Sequence, residues 1–214
     1  MSGGTVVMKQ KMGQVLNGHI EAHASLYLFT FVLFIMGVIF GTLTIQSLGY
    51  DQQNDLFYYF EQFLNEMHKE HFVDPGYAFY DNFFHYVKFI GFIWVLGLSI
   101  IGLPVILVML FLKGVFIGFS VGFLVHQMSW HGFLLALVSV IPQNLFVVPL
   151  ILMMGVLSIS FSLKLIGHLF GSQRAYQRLS LSKYIAAMVV VVFALAFIAG
   201  FQTYLSPMFM KWVS

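Results

Sequence analysis

The sequence predicts an all-α, polytopic integral membrane protein, and three observations carry that prediction. Hydrophobic residues make up 60% of the 214 residues and charged residues only 8%. A soluble domain carries roughly 25% charged residues, so there is too little charge here to coat a water-facing surface. Several uncharged runs exceed the ~18 residues of a membrane span. The charges that exist are segregated: seven of the eight acids lie between Asp51 and Asp81, and the stretch from Lys164 to Lys183 is basic without an acid. The chain has no cysteine. That removes a disulfide framework, an Fe–S site and a thiol nucleophile, and it fits either side of a membrane.

Residues 1–23 are polar, with Lys9, Lys11 and Glu21, and read as a cytoplasmic tail. Ala24–Ile45 is the first span, about 33 Å as a helix, which fits a ~30 Å hydrocarbon core. It is too long for a signal-peptide core and lacks a convincing A-x-A site, so it reads as retained. Residues 47–88 form the one long polar loop. Within it Leu56, Phe60, Phe63, Leu64 and Met67 fall on one helical face, predicting an amphipathic helix over about residues 55–70 in the first outside loop. Pro75-Gly76 then marks a turn, and YAFYDNFFHYVKF leads into the membrane as an aromatic belt.

Phe89–Val125 would measure about 55 Å as one helix, nearly twice the apolar core. It therefore divides into two spans, roughly 89–112 and 114–130, with the turn expected at Lys113-Gly114 and a kink at Gly102 and Pro104. Residues 132–163 carry no charge but hold Pro142 and Pro149, predicting a fourth helix that is broken or partly re-entrant. Residues 164–183 are a basic cytoplasmic loop. Tyr184–Leu205 is the last span, closed by Ser206-Pro207.

Loop Lys and Arg set orientation. With the N-terminus inside, the C-terminus outside and five transmembrane helices, Lys9, Lys11, Lys113, Lys164, Arg174, Arg178 and Lys183 lie inside, and Lys69, Lys88 and Lys211 outside. Lys113 then snorkels to the cytoplasmic headgroups at its turn. The alternative for Lys113 is a buried, substrate- or ion-binding charge, but no span contains an acid to neutralise it.

Gly37 and Gly41 form one G-x-x-x-G unit, and Gly114, Gly118 and Gly122 form two more. Glycine lets backbones approach closely in lipid. These stripes serve packing within one bundle or an interface with a partner, so a homo-oligomer stays open. The amides of Gln143 and Asn144 either line a polar cavity or join helices. Ser158, Ser160 and Ser162 read as helix–helix hydrogen-bonding groups, since no base and orienting group accompany them. His126 and His131 have the wrong spacing for a zinc motif, and no nucleotide fingerprint occurs. No cofactor, metal or nucleic-acid partner is expected, and the protein reads as no enzyme.

The segments LYLFTFVLFIMGVIFG, FFHYVKFIGFIWVLGLSIIGLP, LFLKGVFIGFSVGFLVHQMSWHGFLLALVSVIPQNLFVVP and SISFSLKL resemble the stage II sporulation protein M family of spore-forming Bacillus-like bacteria. LKGVxxGFxVGFL, HGF and PQN carry most of the resemblance, which spans roughly residues 25–210. It implies a multi-pass cell-membrane protein of the engulfment machinery, in the mother-cell engulfing or septal membrane. It implies further that the chain recruits and holds stage II sporulation proteins D and P, the extracytoplasmic proteins that remodel peptidoglycan. The family's architecture has been likened to transporter permeases, so fold alone does not prove the role.

The expectation is one membrane domain over residues 1–214, with a cytoplasmic tail (1–23), an extracytoplasmic loop (47–88) and a basic cytoplasmic loop (164–183). It acts as a scaffold in the lipid bilayer and docks wall-facing partners through Leu56, Phe60 and Phe63. The rival is a permease-like half-transporter that pairs with a cytoplasmic ATPase.

Overall fold

The computed structural model describes residues 24–69, 75–169 and 181–213. They form six helices: α1 (Ala24–Ser47), α2 (Tyr50–Lys69), α3 (Pro75–Gly97), α4 (Gly102–Ser139), α5 (Ile141–Leu169) and α6 (Leu181–Val213). No strand occurs among the described residues, as the all-α prediction requires. Four helices are long and apolar enough to cross a membrane, over Ala24–Ser47, Gly102–Gln127, Asn144–Gly167 and Leu181–Gly200. α3 is less apolar because Asp81, Asn82, His85 and Lys88 fall within its first fourteen residues. α2 is the amphipathic helix expected in the first polar loop, starting five residues earlier at Tyr50.

The most extensive helix–helix contact is between α1 and α4, and glycine makes it. A side chain placed at Gly114 would strike the Phe34 carbonyl oxygen and come within 3.1 Å of the Val38 nitrogen. At Gly118 it would lie 2.8 Å from the Val38 Cα, and at Gly122 3.1 Å from the Thr42 Cα. The fit is reciprocal: Gly37 lies on the Phe111 carbonyl, and Gly41 on the Val115 carbonyl with the Phe119 nitrogen at 2.8 Å. Backbone meets backbone along three successive turns. Cα–H groups facing carbonyl oxygens at such a seam contribute about 0.5–1 kcal/mol each. Thr42 adds an interhelical bond, its hydroxyl donating to the Gly118 carbonyl at 3.1 Å while also facing the Val38 carbonyl at 3.0 Å.

The pairing order gives direction. Phe34 meets Gly114, Val38 meets Gly118 and Thr42 meets Gly122, so α1 and α4 run parallel. α3 and α6 run antiparallel, with Gly97 on Tyr184, Gly91 on Met188 and Gly200 on Phe79. α4 and α5 are antiparallel along their spans, since Gly155 sits on Leu110 while Ser120 shares a cavity with Asn144. α5 is central: half of its span is buried, against 28% for α1, 22% for α4 and 17% for α6. Ile90, Ile93, Ile106, Leu110, Ile151 and Met154 fill the middle of the bundle.

Two expected boundaries are corrected and a third is located. Lys113-Gly114 is not a turn; it lies inside the 38-residue helix α4. The reversal falls at Leu98–Ile101, where Leu98, Ser99 and Gly102 donate to the carbonyls of Val95, Leu96 and Ser99 at 3.1, 2.9 and 3.2 Å. Gly102 packs there on the Leu96 backbone, with no room for a side chain. Pro104 therefore stands in the first turn of α4, where a missing N–H costs little, rather than at a kink in mid-span. The charge-free stretch 132–163 is broken as expected, at Val140 beside Pro142, while Pro149 sits inside the continuous helix α5. Finally, α6 runs past Ser206-Pro207 to Val213. α4 is not straight: Ser120 and Val140 line one cavity, whereas 20 residues of straight helix would separate them by about 30 Å.

The seam makes a stability prediction. Gly118→Val is expected to lower stability by about 2–3 kcal/mol in reversible detergent unfolding, because overpacking must move a backbone. Gly49→Ala, at a position with nothing within 4 Å, is expected to change it by less than about 0.5 kcal/mol.

Candidate functional site

Two polar constellations lie within the helical bundle. The first joins α3, α5 and α6 through Tyr184. The Tyr184 hydroxyl donates to the Trp94 carbonyl at 2.8 Å, which leaves Ser158 to donate to the Tyr184 oxygen, also at 2.8 Å. The Tyr184 ring is stacked between Phe161, at 4.5 Å, and Trp94, at 5.6 Å. One turn further along α5, Ser162 donates to the Ser99 carbonyl at 3.0 Å and ties α5 to the α3–α4 turn. Two of the three serines therefore do what their alternation suggested. Ser160 is buried with its hydroxyl unpartnered among the described residues, as is the Trp94 indole nitrogen.

The second constellation is a cavity of about 240 Å³ between α3, α4 and the start of α5. Lys113, half-buried, is among its lining residues. Asn82 and His85 contribute from α3, Ser120 from α4, and Val140 and Asn144 from the α4–α5 junction. The spacing explains the convergence: Asn82 and His85 are three apart and share a helix face, and Lys113 and Ser120 are seven apart, two turns along another. The Lys113 ammonium lies 5.6 Å over the Phe89 ring, within cation–π range. The Asn144 amide nitrogen donates to the Val140 carbonyl at 2.9 Å, which leaves its oxygen as an acceptor.

Lys113 is thus placed where the sequence did not put it. It lies about 16 Å along the helix axis from Gly102 and about 21 Å from Gln127, the ends of an apolar segment. It cannot sit at an interface turn, and the buried-charge alternative fits its position. The other topology-setting residues fall elsewhere. Lys164 is half-buried near the end of α5, and Lys183 is exposed at the start of α6. Arg174 and Arg178 lie outside the described residues. Of the amide pair, Asn144 lines the cavity, whereas the Gln143 side chain lies outside the described set.

The five glycines come together as the α1–α4 seam, so they serve packing within the bundle. Leu56 is half-buried on α2, and the side chains of Phe60 and Phe63 lie outside the described set. Among the described residues, α2 makes no extensive contact with another helix. It is tied down near its start, where the Gln53 amide donates to the carbonyls of Ile45 and Leu48, and Gln127 donates to the Gln53 carbonyl at 3.2 Å. Tyr50, Tyr58 and Tyr59 are exposed. Among the described residues, no three His, Asp or Glu side chains are placed to hold a metal ion.

Sequence reasoning missed Tyr184, Asn82, His85 and Ser120. Polar residues at helical spacing in the α3 half that leads into the membrane were the available signal. An aromatic-belt reading absorbed them.

A family model described as stage II sporulation protein M matches residues 30–207. No curated protein and no solved structure matches the chain.

The Tyr184 constellation is open to a double-mutant cycle. Tyr184→Phe and Ser158→Ala are each expected to lower stability by about 1 kcal/mol, the size of a net hydrogen bond. The double variant is expected to lose less than the sum, because both changes break one shared interaction.

Proposed function

The chain belongs to the stage II sporulation protein M family and is a sporulation-related membrane protein; on that footing we propose that it is a scaffold of the engulfment machinery. In this reading it holds extracytoplasmic peptidoglycan-remodelling partners, stage II sporulation proteins D and P, at the septal membrane and performs no catalysis of its own.

One observation carries the proposal. α2, an amphipathic helix with exposed tyrosines, makes no extensive contact with the bundle among the described residues while remaining anchored at its start by Gln53 and Gln127. A helix that does not pack on its own bundle has a face free for another protein. Leu56, Phe60 and Phe63 belong to the helical stripe we assign to that contact.

The directions of the helices support five crossings with the N-terminus inside. α1 and α4 are parallel and both are membrane-length. A chain that crosses twice in one direction must return in between. α3, which reverses into α4 at Leu98–Ile101, is the described helix that makes the return. With Lys88 and Lys113 taken into helices, the inside holds Lys9, Lys11, Lys164, Arg174, Arg178 and Lys183, and the outside Lys69 and Lys211. The excess of Lys and Arg stays on the inside, in keeping with the positive-inside rule. α2 then lies on the wall-facing side.

Replacing Leu56, Phe60 and Phe63 together by Ala is expected to leave membrane insertion unchanged. The same change is expected to reduce co-purification of the D and P proteins about tenfold, as loss of an anchor cluster does. Unchanged co-purification would remove α2 as the docking helix.

A further inference from the structure

We infer that the cavity at Lys113 receives a carboxylate from a transmembrane helix of another protein. The inference does not depend on α2 or on wall-facing partners.

It begins with an uncompensated charge. Lys113 lies in the middle of a membrane-length apolar segment, and its ammonium faces the Phe89 ring. A charge at that depth is expensive unless it is paired. All eight acids of the chain lie between Glu21 and Asp81, and none lies in any of the four most apolar helices. The bundle therefore has no counter-charge of its own at the level of Lys113.

The cavity is shaped for a small acidic group. Its volume of about 240 Å³ exceeds that of an Asp or Glu side chain. Beside Lys113 it presents the Asn82 amide and His85, while the Ser120 hydroxyl and the Asn144 amide nitrogen are already donated to the Phe116 and Val140 carbonyls. It also opens sideways rather than into the core: His85, Phe116 and Ser120 line it and are themselves exposed on the outer face of the bundle. A neighbouring helix lying along α3 and α4 reaches it directly.

Depth and symmetry narrow the source. The headgroups lie about 15 Å from the bilayer centre, beyond the roughly 6 Å reach of a lysine arm, so a lipid phosphate is the less favoured occupant. A second copy of the chain is disfavoured as well. Copies related by an axis along the membrane normal have equivalent residues at equal depth. The copy's Asp81, exposed on α3, stands beside the cavity-lining Asn82 but about 10 Å along α3 from Lys88, whose neighbour Phe89 faces the Lys113 ammonium; it would reach the Asn82 end of the cavity rather than Lys113. That favours a carboxylate from a different chain.

The test uses the full-length protein in phosphatidylcholine vesicles with a labelled synthetic transmembrane peptide, poly-Leu/Ala with one central Glu. The control peptide carries Leu at that position, and association is read by energy transfer. The Glu peptide is expected to bind about tenfold more tightly than the control. That preference should vanish in Lys113→Met, which keeps the side-chain length, and survive in Lys113→Arg. Equal binding of the two peptides, or a preference that persists in Lys113→Met, overturns the inference. If phosphatidylglycerol added to the vesicles abolishes the preference, a lipid phosphate occupies the cavity, and the inference is likewise overturned.

Discussion

The close approach of α1 and α4 is the constraint on which the rest of the architecture depends. In lipid, apolar side chains gain nothing by leaving the solvent for one another, so helices associate through packing and polar contacts. Gly37, Gly41, Gly114, Gly118 and Gly122 allow backbone-to-backbone contact over three turns, and the order of those contacts makes the two helices parallel. Everything between them follows. In the five-crossing reading proposed above, the chain comes back through α3, which carries its polar residues into the bundle. The depth of Lys113 is a consequence of the same seam, since it immediately precedes Gly114 on α4.

A second set of contacts organises the other side. α5 is enclosed by its neighbours, so its serines cannot face lipid and must find partners or remain unpaired. Ser158 and Ser162 reach Tyr184 and Ser99, closing α6 and the α3–α4 turn onto α5. Hydrogen bonds of this kind contribute only about 1 kcal/mol each in membranes. Their direction fixes register more than their strength fixes stability. A bundle locked along both the α1–α4 and the α3–α5–α6 contacts suits a rigid platform.

Much of the fold was legible in composition. Uncharged runs marked the start of α1 to the residue and that of α6 within three residues, and the Leu56–Met67 stripe marked α2. The errors have one physical origin: glycine and proline each carry two meanings. Gly102 serves a turn and Gly114 serves close packing, and nothing local to LPVILVMLFLKG distinguishes them. Pro104 is harmless in a first turn and disruptive in mid-helix, and only knowledge of the helix start decides. Shifting the turn by about a dozen residues moved Lys113 from an interface to mid-membrane, so one misread glycine altered the reading of the site. The cavity itself was not legible, because Asn82, His85, Ser120 and Asn144 come from three helices whose facing was unknown.

The parallel course of α1 and α4 can be measured directly. Spin labels at Gly49→Cys, just past α1, and His126→Cys, near the end of the α4 span, mark the same end of the bundle; Gln46 and His126 line one cleft. Double electron–electron resonance on the protein in lipid should give a distance under about 20 Å. A distance of about 30 Å or more, the thickness of the apolar core, would place those ends on opposite faces. It would contradict the seam, the return through α3 and the depth assigned to Lys113.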